Sequence, residues 1–264
     1  MGRSSKTTDK VLSFLERNRG SFVSGEKMAK ECGVSRNSVW KAVKDLRESG
    51  YCVEAVSNKG YSLGKSNDII SEEGIRANLE PEISSGMDIC VFASIGSTSD
   101  KAKEMAMKGA GHGTLVVSSR QTKGRGRKDH TFFSPDGGLY ISMILSPEKF
   151  DISDRESLIK SIGDKVKNVI KELTGVVVKR KGINDLYVGD KKLCGILIES
   201  GSEFDSGRLQ WLVVGIGINF DPDISIFPAE LKEKVTSLFE PGQASVTKNE
   251  LIAAIAGRIL AEKQ

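Results

Sequence analysis

Between residues 8 and 63 the apolar positions fall at helical spacing. Val11, Leu12 and Leu15 share one face of a first segment that stops before Gly20. Met28, Ala29 and Cys32 share a face of a second, with Ser24 a fitting N-cap and Gly33 a fitting stop. Val39, Val43 and Leu46 recur at i, i+4 and i+7 in a third, which Ser35 can cap. Two helices joined by so short a glycine turn predict a helix-turn-helix. Tyr51–Leu63 then alternates and turns at Asn58-Lys59-Gly60, which predicts a β-hairpin wing with Lys59 at its tip. The polar stretch "GKSNDIISE" reads as a linker in which Ser71 can cap the next helix. The predicted domains are 1–64, a linker at 65–72, and 73–264.

Beyond residue 73 the period changes. Short apolar runs predict strands at 89–93, 114–120, 139–145, 176–180, 185–188, 192–199 and 209–217. The pair 185–188 and 192–199, joined through Gly189-Asp190, reads as a hairpin. Two helices carry capping boxes: Ser153-x-x-Glu156 ahead of Leu158–Leu173, and Thr247-x-x-Glu250 ahead of Leu251–Ile259. Strand hairpins with helices between them predict an α+β fold with a mixed sheet.

Composition narrows the function classes. No run of about 18 apolar residues exists to span a bilayer, and the N-terminus has no apolar stretch of a signal peptide. Four scattered cysteines in apolar-patterned segments predict buried free thiols and a reducing cytoplasm. With two histidines and no Cys/His cluster, no metal site is expected. The charge is uneven: residues 1–65 hold 13 Lys and Arg against 7 Asp and Glu, and the rest holds 26 against 28. A basic small domain on a near-neutral body predicts a polyanion partner. On the third helix Arg36, Asn37, Trp40, Lys41 and Lys44 face outward. Arg36 and Asn37 suit base edges, whereas Lys41, Lys44 and Lys59 suit phosphates. A protein-interaction module with a solvated basic face would look similar; the charge balance and the Arg/Asn/Lys cluster favour DNA.

The stretch "QTKGRGRKDHTFFSPDGGLY" lies between two predicted strands. Gly124 and Gly126 let the backbone bend closely, and Arg125, Arg127 and Lys128 can aim at an anion. It matches neither a Walker loop nor the dinucleotide fingerprint. Alone it reads either as a solvated face or as a phosphate clamp of another type, ordered by its ligand.

Four blocks in order resolve the choice. "SGEKMAKECGVSRNSVWKAVKDLRESGYCVEAVSNKGYSL", "IGSTSDKA", "QTKGRGRKDHTFFSPDGGLYISMIL" and "KGINDLYVGDKKLCGILIE" with "VVGIGINF" together resemble the bifunctional biotin–protein ligases that double as biotin operon repressors. The resemblance runs from about residue 8 to the end. It implies an enzyme that joins biotin and ATP, with Mg2+, into biotinyl-5′-adenylate and then transfers the acyl group to a lysine of a biotin carboxyl carrier protein. It also implies a ligand-promoted homodimer that represses at an inverted-repeat operator, with the adenylate as corepressor. Arg125, Arg127 and Lys181 are the implied catalytic residues. Ser97, Thr98, Ser99, Gln121 and Gly126 join them around biotin, and Lys128, Phe132, Asn184 and Asn219 lie on the nucleotide side. Lys181 is selected over Lys179 by counting back from Asn184-Asp185. "GSTSD" is equally a plain helix N-cap, and Asn219 a strand-ending turn residue.

Three departures from the pattern stand out. Gly182-Ile183 replaces the usual Trp-Pro before Asn-Asp. Asp129, His130, Thr131 and Phe132 replace further basic residues and a tryptophan. The family's small C-terminal β-barrel is expected to be absent. A DNA-binding biotin or adenylate sensor with little transfer activity is the alternative function, and a relative of the lipoate ligases a more distant one.

Overall fold

A computed structural model of the chain describes residues 5–64, 68–127, 130–150, 154–202 and 208–261. Its internal contacts divide it into two units, Met1–Leu79 and Glu80–Gln264.

The first unit contains α1 (Lys6–Arg17), α2 (Gly25–Cys32), α3 (Arg36–Glu48), the antiparallel hairpin β1 (Val53–Val56) and β2 (Gly60–Leu63), and α4 (Glu72–Ala77). Each helix is entered the same way. The hydroxyls of Ser5, Ser24, Ser35 and Ser71 accept from the backbone N–H three residues on. Such a cap is worth about 1 kcal/mol to its helix. Gly33 ends α2 in the left-handed region, with φ 65°. Val11, Leu15, Met28, Val39, Val43 and Leu63 close one core. The unit extends past the predicted boundary at residue 73, because α4 packs on α1 and buries Ile75 completely. A six-residue helix is too short to show a period, so the sequence reading assigned it to the second domain.

The second unit runs α5 (Pro81–Ser84), β3 (Ile89–Phe92), α6 (Thr98–Met107), β4 (Leu115–Ser118), β5 (Leu139–Leu145), α7 (Arg155–Thr174), β6 (Lys179–Lys181), β7 (Asp185–Val188), β8 (Lys191–Ser202), β9 (Leu209–Ile218), α8 (Ala229–Lys232) and α9 (Lys248–Leu260). Among the described residues its strands form one sheet in the order β3-β4-β5-β9-β8-β7-β6. β3 pairs with β4 in parallel and the other neighbours are antiparallel, so the sheet is mixed. β5 is buried along its whole length, with α6 and α9 packed on it. A strand without a polar face must be covered on both sides. The capping box Thr247/Glu250 is formed. Ser153 lies outside the described residues, and the Asp154 side chain caps α7 instead. The expected strand 176–180 shrinks to β6, a three-residue edge strand. Cys32 and Cys194 are buried, but Cys52 is exposed and Cys90 half-buried, so the expectation of four buried thiols fails for those two. Among the described residues no helix is long and apolar enough to cross a membrane.

Candidate functional site

The floor of the site follows from strand register. Tyr140 on β5 pairs with Gly217 on β9, which pairs with Gly195 on β8. Two residues along, Ser142 pairs with Gly215, and Gly215 with Leu197. Glycines in the middle of strands cost stability unless another group must approach the backbone. Here one does. A methyl group on Gly217 would sit 2.6 Å from Cε1 of Phe132, and one on Gly215 would sit 2.6 Å from Oγ of Ser99. Above this floor is a cavity of about 270 Å³.

A chain of hydroxyl and amide groups runs along one end. Ser99 Oγ lies 3.1 Å from Ser142 Oγ, which donates to Thr98 Oγ1 at 2.8 Å. Thr98 donates from its backbone N–H and its hydroxyl to Gln121 Oε1, at 2.8 and 3.1 Å. Gln121 Nε2 donates onward to Ser134 Oγ at 3.0 Å. These side chains hold one another in place, and such mutual bonding lowers the ordering cost of binding.

The cationic rim comes from the glycine–arginine loop and β8. The two arms of the loop are joined by a bridge between Arg125 and Thr131 and by bonds from Gly126 N–H to His130 O and from Phe132 N–H to Gly124 O. Gly124 is required there: a Cβ would lie 2.3 Å from Phe132 O. Arg125 grips Asp100 on α6 at 2.7 Å, and Lys103 bridges Asp100 at 3.0 Å and Glu199 at 2.8 Å. Burial works to raise the Asp100 pKa, but hydrogen bonds and charge from Arg125 and Lys103 outweigh it and hold the carboxyl below its ordinary value. The tether is therefore complete at neutral pH and is lost only as pH falls through that lowered value. Arg127 Nη1 donates to Asn184 Oδ1 at 2.9 Å, and Asn184 Nδ2 donates to Ile196 O at 2.7 Å. Lys192 completes the rim, 2.9 Å from Asp185 and over the Phe132 ring.

Of the residues singled out from sequence, Thr98, Ser99, Gln121, Arg125, Gly126, Arg127, Phe132 and Asn184 line this one cavity. Ser97 does not; its hydroxyl caps α6. Lys181 does not either. It lies on β6 with Nζ 2.8 Å from Asp190 and over the Tyr187 ring. Asn219, just after the end of β9, does not line the cavity either; it is buried, donating from Nδ2 to Thr236 O at 3.0 Å, while its Oδ1 has no partner. Lys128 lies outside the described residues. Sequence reasoning missed Lys192, Asp185 and the floor glycines. The alternate-position glycines of "VVGIGINF" were the available signal, since two glycines two apart bare one face of a strand.

On the first unit, Arg36, Asn37, Lys41 and Lys44 are exposed on α3, and Lys59 is exposed in the β1–β2 turn. Lys44 has only a loose pair with Glu48, at 3.8 Å. Trp40 stands among them 55% exposed, so the fold forgoes burying its largest apolar side chain type on this helix. Together these residues form a cationic face with one aromatic at its centre.

Comparison with known proteins agrees with both halves. The Biotin/lipoate A/B protein ligase family signature matches residues 91–219, and an HTH domain signature matches residues 7–62. The bifunctional ligase/repressor BirA of Bacillus subtilis (strain 168) is 35% identical over 247 residues, which is 93% of this chain and 74% of that protein. The bifunctional ligase/repressor BirA of Escherichia coli (strain K12) is 33% identical over 80% of this chain and 62% of its own length. Among solved structures, the biotin protein ligase of Aquifex aeolicus in complex with biotin and ATP superposes with a TM-score of 0.55 at 31% identity, covering 66% of this chain and 68% of that one.

Proposed function

This chain belongs to the family of bifunctional biotin ligase/repressors, and we propose that it activates biotin with ATP, transfers it to a lysine of a biotin carboxyl carrier protein, and represses transcription through its helix-turn-helix. The observation that carries the reading is the glycine-floored cavity, polar at one end and rimmed by Arg125, Arg127 and Lys192. An apolar bicyclic ligand with a urea-like head and a carboxylate tail fits that order of surfaces. In this reading Thr98, Ser99 and Gln121 hold the head through the hydroxyl–amide chain. The Phe132 ring, lying against Gly195 and Gly217, and the apolar side chains of Ile141, Leu197 and Ile216 receive the apolar body. The carboxylate lies towards the cations.

The first step joins two anions. A biotin carboxylate oxygen attacks the α-phosphorus of ATP, the bond to the bridging oxygen breaks, and diphosphate leaves. The protein's contribution is fixed positive charge where negative charge concentrates. Arg127 and Lys192 supply it, each already oriented by a partner in Asn184 and Asp185. A guanidinium stays charged and can donate two parallel bonds. On the nucleotide side, the unpartnered Oδ1 of Asn219 is a buried acceptor suited to an exocyclic amine. Among the described residues no group of three Asp, Glu, His or Cys side chains could hold a metal ion. The residues therefore fit magnesium only as a companion of the ATP phosphates, where it would neutralise charge.

Two experiments address the enzyme. Biotin-dependent exchange of labelled diphosphate into ATP tests adenylate formation directly; exchange absent with biotin would remove the ligase reading. Gly215→Ala should push Ser99 away from Ser142 and Thr98. Overpacking of this kind costs about 1–3 kcal/mol, which corresponds to roughly 5- to 150-fold weaker biotin binding by calorimetry. Parent-like affinity would separate the hydroxyl chain from biotin recognition.

The repressor half rests on the exposed face of α3 and the wing. A single such module makes few base contacts, whereas specific sites need roughly 4–10 kcal/mol over non-specific DNA. A homodimer reading an inverted repeat meets that need, and the adenylate, bound against the arginine loop, would favour the dimer. The setting is the cytoplasm. Arg36→Ala should lose sequence preference. Lys59→Ala should weaken all DNA about equally and reduce the salt slope by about one. Operator titrations at two salt concentrations check both, and a Lys59 variant that changes sequence preference would contradict the assignment.

A further inference from the structure

A second cavity of about 320 Å³ adjoins the first, and Arg127, Asn184 and Leu197 line both. These residues are thus the wall between the two spaces, with the Arg127–Asn184 hydrogen bond across it. The remaining lining is apolar in Ile159, Ile183 and Ile198 and charged in Arg155 and Glu156. Arg155 is held there by donating from Nη2 to Ile198 O. We propose that this cavity is the port through which the acceptor amine, a lysine side chain of the carrier, reaches the activated acyl group. The inference rests on the ligase reading above and adds an entrance to it.

The lining suits an alkylamine. Isoleucine walls match the four methylenes of a lysine stem. Glu156 draws an ammonium in from solvent. Within the same lining, the guanidiniums of Arg127 and Arg155 disfavour a further positive charge, which moves the amine towards its neutral, nucleophilic form. The nitrogen lone pair then forms the amide C–N bond as the acyl C–O bond to phosphate breaks. AMP leaves with that electron pair, and the nitrogen's proton passes to water. Diphosphate would also suit two guanidiniums, but the apolar walls and the Glu156 carboxylate oppose a multiply charged anion.

Ile183→Trp tests the port. Ile183 is half-buried in the turn between β6 and β7 and lines the second cavity but not the first. A larger side chain there fills the port without entering the substrate cavity. Three rates are measured with biotin and ATP: diphosphate release, transfer to a biotin carboxyl carrier domain, and capture of the acyl group by hydroxylamine, which is small enough to pass a narrowed port. Expected are diphosphate release and hydroxylamine capture within about twofold of the parent, which also shows that the variant folds, and carrier transfer reduced at least tenfold. Transfer at the parental rate would overturn the port. Diphosphate release reduced as much as transfer would overturn it in favour of a nucleotide subsite. No diphosphate release by the parent chain would overturn the ligase reading, and the port with it.

Discussion

Lys192→Ala is expected to slow adenylate formation by roughly 10- to 150-fold, while Lys181→Ala stays close to the parent. A hydrogen bond to a charged group is worth about 1.5–3 kcal/mol, and each 1.36 kcal/mol changes a rate tenfold. The choice of lysine decides which variant shows the loss. Lys192 lines the cavity, and Asp185 holds it at 2.9 Å with 29% of its side chain exposed. Lys181 sits on the edge strand β6, and its partner Asp190 has 99% of its side chain exposed. Such a surface pair contributes little and directs nothing into the site. Biotin-dependent diphosphate release with each variant is the check. A slow Lys181→Ala beside an unaffected Lys192→Ala would return the role to Lys181.

Arg127→Gly is expected to release the activated intermediate roughly 10- to 150-fold faster. The Arg127 guanidinium is oriented by Asn184, which is itself anchored to the backbone of Ile196. An anion paired with a fixed guanidinium departs slowly, and loss of one charge-assisted contact again corresponds to about 1.5–3 kcal/mol. The released acyl-adenylate would label lysines of unrelated proteins. Dissociation is measured by chasing labelled adenylate with unlabelled compound; an unchanged off-rate would contradict the assignment of Arg127.

Local rules made much of the architecture legible. Serine and threonine caps at Ser24, Ser35, Ser71 and Thr247 stand where the sequence placed them, because capping depends on neighbours three residues away. The long apolar strands β5 and β9 were legible for the same reason. What escaped was set by pairing across the sheet. Lys181 was selected by counting along the chain from Asn184-Asp185. Lys192 reaches the cavity through the β7–β8 hairpin, whose register shifts between Leu186 and Tyr187. No count along one strand predicts such a shift. The floor is also a pairing effect, since Gly195 and Gly217 matter only once they lie opposite each other. Asn219, whose nucleotide-side role rests on its unpartnered Oδ1, is buried with Nδ2 on Thr236 O, a state that sequence alone cannot distinguish from a turn asparagine.

The central claim is that one cavity makes the adenylate and hands its acyl group to a carrier lysine. Incubation of the chain with biotin, ATP, magnesium and a biotin carboxyl carrier domain, followed by intact-mass measurement of the carrier, tests it most directly. The expected result is a gain of one biotinyl group on a single lysine, dependent on both biotin and ATP. A carrier of unchanged mass, with biotinyl-adenylate accumulating on the protein, would contradict it and leave a sensor that activates biotin without passing it on.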